Sequence, residues 1–213
     1  MNSGTSQYVL LEDQPVRLRR SNPQRNAEGS DDDLVRLAQR GDRDAFGLLY
    51  DRYLPRVHGY CYRVLGNREG AEDATTETFI RALDGLPGCR AESFRPWLFA
   101  IAHNVTIDIL RRQRTVSLEQ VPEPVDPAAF EDAVLTAADW ERIERVLGHL
   151  SDDQRHVVAL RLTGLSTAEI GESLGKTRNA IDALQHRALL RLKALVATGD
   201  AAASNDQGGG YRG

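Results

Sequence analysis

Cysteine is scarce: the 213 residues hold two, Cys61 and Cys89. They form no C-x-x-C pair and no metal-ligand spacing, which excludes a disulfide framework and a zinc module. The default role for each is a reduced thiol in a packed interior. Aromatic residues make up only 6% of the chain, as suits a helical protein built on Leu, Ala and Val. No apolar run approaches the roughly 20 residues that cross a bilayer. Val9 to Leu11 is far too short for a secretory leader. No membrane insertion and a cytoplasmic location are therefore expected. The five histidines, His58, His103, His149, His156 and His186, are scattered. There is no nucleophile–base constellation, Gly-rich phosphate loop or nucleotide fingerprint. An enzyme is not expected, and neither is a catalytic residue, a metal site or a cofactor. Lysine is also rare, with Lys176 and Lys193 the only two among 27 basic residues. This Arg bias reflects a GC-rich coding sequence and says nothing about the fold.

The net charge of −4 argues weakly against a nucleic-acid binder until it is divided by segment. Residues 115–139 hold six acids and no basic residue, whereas residues 30–114 are neutral and 140–197 carry +2. One acidic segment thus hides two flanking segments able to meet phosphate.

Residues 1–29 are polar and without apolar period, and are expected to be a disordered tail. Ser30 before Asp31, Asp32 and Asp33 starts a helix that turns Leu34, Leu37 and Ala38 inward and stops at Gly41-Asp42. Phe46, Leu49, Tyr50, Tyr53, Val57, Tyr60, Cys61 and Val64 mark a second helix. Pro55 should bend it by removing one hydrogen bond. A third helix runs from about Arg68 to Asp84, a loop spans Gly85 to Ser93, and a fourth helix covers about Phe94 to Gln113. Together residues 30–114 read as a helical bundle. Three prolines, Pro122, Pro124 and Pro127, make residues 115–132 an extended linker, and helical pattern resumes near Asp132. Residues 133–197 end in a sharper signal. Ser166 and Glu169 form a capping box, the short helix stops at Gly175, and Thr177 caps a longer helix with Ile181, Leu184, Ala188, Leu192 and Leu195 inward. Short helix, tight turn and longer helix make a helix-turn-helix. Residues 198–213 are expected to be a second disordered tail. The predicted class is all-α: two small helical domains joined by an extended acidic linker.

Several stretches, in order, resemble the sigma-70 family of RNA polymerase sigma factors, in its extracytoplasmic-function subfamily. Ala71 to Phe79 resembles region 2.2 of that family. Phe94 to Asn104, with Asp108, Arg111 and Arg112, resembles regions 2.3 and 2.4. Leu150 to Arg155, Leu165 to Gly175 and His186-Arg187-Ala188 resemble region 4. The resemblance covers about residues 31–195. It implies a factor that binds core polymerase and directs promoter recognition. The first domain would dock on the clamp helices and hold the unwound −10 element. The second would sit on the flap and read the −35 duplex. An anti-sigma partner is implied only by resemblance.

The resemblance also assigns residues. Asp73, Thr76 and Glu77 would bind polymerase, with Thr76 where the family often has Gln; a solvated helix face is the plain alternative. Cys89, Arg90, Ser93, Phe94, Trp97, Asn104, Arg111 and Arg112 would serve the −10 strand. Asn104 and the preceding loop would hold a flipped base. Arg178, Asn179, Asp182, Ala183, His186, Arg187 and Arg191 would serve the −35 duplex. Asp182 departs from the more basic family pattern: it either repels phosphate or accepts from a cytosine amino group. Leu184, Leu189 and Leu190 likewise replace commonly basic positions. The linker either competes for a channel built for RNA phosphate or is a spacer. The alternative reading of the whole chain is a helix-turn-helix regulator that acts without polymerase docking.

Overall fold

The computed structural model describes residues 9–11, 14–16, 29–116 and 147–206. Most of the linker, and the renewed helical pattern near Asp132, lie outside the described residues. Within the segment expected to be a disordered tail, β1 (Val9–Leu11) and β2 (Gln14–Val16) form an antiparallel pair in which Val9 faces Val16. β-propensity at Val9 and Val16 and a short connection suffice for a local ribbon. The remainder of the described chain is helical, and the class is all-α.

Side chains fix where the helices begin. Ser30 accepts from the Asp33 amide and starts α1 (Asp31–Gln39). The face that α1 buries carries Leu34 and Val35, while Leu37 is 38% exposed, so the inward assignment of Leu37 is corrected. The stripe leans one residue from the sequence estimate, because the partner helix sets its centre. Asp42 caps α2 (Arg43–Leu65), which runs as one helix through Pro55 and ends at Gly66 with φ +71°. Asn67 caps α3 (Arg68–Gly85). Two 3-10 turns, Leu86–Gly88 and Ala91–Ser93, lead into α4 (Phe94–Val116).

The second half repeats the logic. Ser151 and Gln154 form a reciprocal capping box on α5 (Asp152–Leu162), as do Ser166 and Glu169 on α6 (Thr167–Leu174). Each such box satisfies two amides that the helix cannot. Gly175 ends α6 in the left-handed region, and Thr177 accepts from the Ala180 amide at the start of α7 (Arg178–Asp206). Gly171 matters for the turn. A Cβ there would sit 2.8 Å from the Lys176 carbonyl oxygen, so only glycine lets the chain fold back this tightly.

Both halves share a core. Leu49, Tyr53 and Tyr60 of α2, Phe94, Leu98 and Phe99 of α4, Leu160 of α5, Ile170 of α6 and Ile181 of α7 all have less than 2% of their surface exposed and belong to one cluster. α5 packs on α2, and α6 packs on α4. Polar contacts cross the same seam. Arg95 Nε donates to Glu169 Oε1 at 2.9 Å, and Ser173 Oγ donates to the Pro96 carbonyl at 2.9 Å. His156 Nδ1 lies 2.8 Å from the Tyr60 hydroxyl and 3.3 Å from His103 Nδ1.

Candidate nucleic-acid and polymerase interfaces

α3 and α4 lie side by side and leave two concavities on the surface between them. The first is a groove of about 620 Å³ lined by residues that include Asp73, Thr76 and Glu77 of α3 and Ile109 and Arg112 of α4. The three residues expected to bind polymerase thus share one wall. The spacing explains it: positions three and four apart fall on one helical face, and Ala74, Thr75 and Thr78 occupy the buried face. The buried threonines are satisfied locally, each hydroxyl donating to the carbonyl four residues back at 2.6 Å. With Glu69 also present, the α3 wall is acidic.

The second concavity, about 390 Å³, is lined by Arg81, Gly85, Gly88, Trp97, Ile101 and Asn104. It combines an indole face with an amide, the donor set for holding an unstacked base by its plane and its edge. Trp97 is half-buried and Asn104 exposed. Glycine at 85 makes room for the indole: a Cβ there would come within 3.1 Å of Trp97 Cζ2. Neither Gly85 nor Arg81 was among the residues read from the sequence as DNA-binding. Helical spacing does single out Arg81, one turn beyond Glu77.

The loop before α4 is less open than its sequence suggests. Cys89 and Phe94 are 7% and 1% exposed and pack in the core, and burial pushes the Cys89 thiol up to about 11. Thiol and ring thus shape the loop from beneath in the free chain. Arg90 is exposed and Ser93 half-buried, while Arg111 and Arg112 are exposed near the far end of α4. Cys61 is likewise buried and unpaired, as expected, its thiol pushed up to about 12 by burial.

On α7, Ile181, Leu184 and Ala188 are buried, as their spacing predicts, whereas Arg178, Asn179, Asp182, Ala183, His186, Arg187 and Arg191 are all exposed. Asp182 lies 4.0 Å from Arg178 Nε, one turn earlier, so part of its charge is met within the helix. Leu189 and Leu190 are 50% and 53% exposed.

These features define a helical protein with a helix-turn-helix and two surface concavities between α3 and α4. Comparison with known proteins gives the family. Residues 49–116 match the family described as Sigma-70 region 2, and residues 140–192 match Sigma-70, region 4. The chain is 32% identical over 167 residues to the ECF RNA polymerase sigma factor SigW of Bacillus subtilis, covering 72% of this chain and 89% of that one. It is 37% identical over 171 residues to the ECF sigma factor BldN of Streptomyces coelicolor, covering 77% of this chain but 65% of BldN, a little under two thirds. Among solved structures, CnrH in complex with the cytosolic domain of CnrY aligns with a TM-score of 0.62 and 27% identity, covering 79% of this chain and 97% of that one. RpoE of Bartonella quintana, solved with the anti-sigma factor NepR, has the same TM-score at 24% identity, covering 71% and 96%, which bears on the fold. The chain belongs to the sigma-70 family of RNA polymerase sigma factors, in its extracytoplasmic-function group. It is an initiation factor rather than an enzyme, and a stand-alone helix-turn-helix regulator is not favoured. Among the described residues, no helix is long and apolar enough to cross a membrane.

Proposed function

We propose that this sigma factor docks on core RNA polymerase through the acidic wall of α3, captures an unstacked −10 base in the pocket between α3 and α4, and reads the −35 duplex with the first turns of α7. The observation that carries this reading is adjacency: Asp73, Thr76 and Glu77 line one groove, and Trp97 and Asn104 line the next concavity along the same pair of helices. A protein that must hold polymerase and melted DNA together needs those two surfaces side by side. Basic clamp residues suit the acidic wall, and an aromatic face with an amide suits a flipped base.

On α7 the exposed arginines divide by position. Arg187 is the base reader, since its planar fork matches guanine O6 and N7, while Arg178 and Arg191 meet phosphate near the two ends. The protein acts in the cytoplasm, where polymerase and promoter are found. A protein that holds it inactive is a further expected partner, in keeping with CnrH having been solved bound to part of CnrY. The test of docking is charge reversal. Asp73→Arg with Glu77→Arg should abolish binding to core polymerase by titration while circular dichroism shows the helices intact. Unchanged affinity would contradict the assignment.

A further inference from the structure

Arg81 lines both concavities, the acidic groove and the base pocket. Its Nε donates to Glu77 Oε1 at 2.7 Å, and its Nη1 lies 3.7 Å from Asp108 Oδ2 across on α4. Among the residues lining the base pocket it alone carries charge. Trp97 and Asn104 can hold a base by its plane and edge, but neither brings a positive charge to the phosphates that flank every nucleotide. A guanidinium does, with two parallel donors. We propose that Arg81 is a nucleotide-contacting residue of the base pocket, restrained in the free protein by Glu77 and Asp108 and released toward DNA when polymerase engages Glu77. This rests on the docking and pocket assignments above.

The restraint is of the right strength for release. Arg81 and Glu77 are 41% and 45% exposed, and exposed ion pairs on one helix face contribute little. A basic clamp residue that engages Glu77 in a closed interface competes with Arg81 for the same carboxylate. Arg81, one partner fewer, then lies beside the pocket with donors to spare. Because the two binding events share Glu77, the coupling is reciprocal: DNA in the pocket that takes Arg81 leaves Glu77 freer for the clamp. The face concerned is open in the present arrangement. The polar contacts of α4 with the second half run through Arg95, Pro96 and His103, whereas the pocket is lined by Trp97, Ile101 and Asn104.

The experiment uses the full chain, free and bound to core polymerase, with a fluorescent pool of single-stranded DNA randomised across the −10 window. Four variants are compared by anisotropy: Glu77→Gln, Arg81→Gln, the two together, and Asn104→Ala. Glu77→Gln should raise the affinity of the free protein several-fold. That gain should vanish in the double variant. In the holoenzyme at saturating core, Arg81→Gln should weaken binding by about tenfold, the size of loss for a charge-assisted pair. A gain from Glu77→Gln that persists without Arg81 would mean that only a repelling charge had been removed, and would overturn the proposal. So would a holoenzyme insensitive to Arg81→Gln but sensitive to Asn104→Ala, a result that keeps the pocket and discards Arg81. Insensitivity to both would overturn the pocket itself, and Arg81 with it.

Discussion

At the scale of single residues, Asp182 is the most discriminating position on α7. An exposed carboxylate on a DNA-reading face either repels phosphate or accepts from cytosine, and the neighbouring Arg178 at 4.0 Å tempers the first effect. If repulsion dominates, Asp182→Ala strengthens binding to every −35 duplex alike. If it reads cytosine, the change weakens the preferred duplex and helps the others. The measurement is affinity across a duplex library at fixed salt. Beside it, Arg187→Ala should cost about 1–3 kcal/mol at one base pair, and Arg191→Ala should weaken all sequences and lower the salt slope by about one. In the −10 pocket, Asn104→Ala should cost the holoenzyme about 1–3 kcal/mol on single strand. Equal affinity for every −10 variant before and after the change would rule out edge reading there. Exposure of the α7 residues was legible in their helical spacing. The burial of Phe94 follows from its place on the apolar period of α4, and that of Cys89 from the default for a lone thiol; which loop residues stay open was not legible, because a loop has no period to read.

At the scale of elements, helix starts were legible because caps are local chemistry: Ser30, Ser151 and Ser166 each accept from an amide three residues on. The need for glycine at 171 was not legible, since it comes from a carbonyl in the next turn. Gly171→Ala should open the α6–α7 turn, lower Tm and weaken −35 binding while leaving core binding through α3 in place. An unchanged Tm would contradict the 2.8 Å approach. The packing of α5 gives a pH prediction. His156 is buried against Tyr60 of α2 and His103 of α4, with Asp152, Asp153 and Arg155 of α5 nearby and Lys176 facing His103. Burial holds His156 at about 3 and lowers His103 as well. Both values lie below that of a solvated histidine, so the packed state binds fewer protons than the separated one. Its stability is full above about pH 6.5 and falls as pH drops below that, by up to about 1.4 kcal/mol per unit for His156, with His103 acting in the same direction. Protection factors in α5, in which the intrinsic exchange rate is divided out, should therefore fall between pH 7 and 5, and His156→Gln should flatten that dependence. The same slope in both proteins would mean that the pair is not what titrates.

At the scale of the whole molecule, the pairing of the two halves was not legible at all. The sequence shows two helical segments and an acidic linker, but nothing periodic announces that Tyr60 will meet His156 across 96 positions. The arrangement constrains function. The packed halves are only part of a chain of 213 residues, so their body is at most roughly 45 Å across. Promoter elements named for positions about 25 base pairs apart lie roughly 80 Å apart along duplex DNA. If the chain holds both elements as proposed, one packed body is too short, and the halves are expected to part on the promoter. Cysteines placed at Arg95 and Glu169 and bridged by a bifunctional thiol reagent should block transcription, while the same variants unbridged remain active. Full activity of the bridged protein would show that the seam need not open. The linker is testable at this scale too. Replacing Glu119, Glu123 and Asp126 with Ser should change the ratio of abortive to full-length product and spare core binding, whereas an identical ratio would make the linker a spacer.

As proposed, this chain converts core polymerase into a promoter-specific enzyme. Transcription by purified core polymerase on a promoter library, with the start sites sequenced, measures it directly. With the protein present, starts should collect at a few positions preceded by shared −10 and −35 sequences, and Asp73→Arg with Glu77→Arg should abolish them. The same scattered starts with and without the protein would contradict the account.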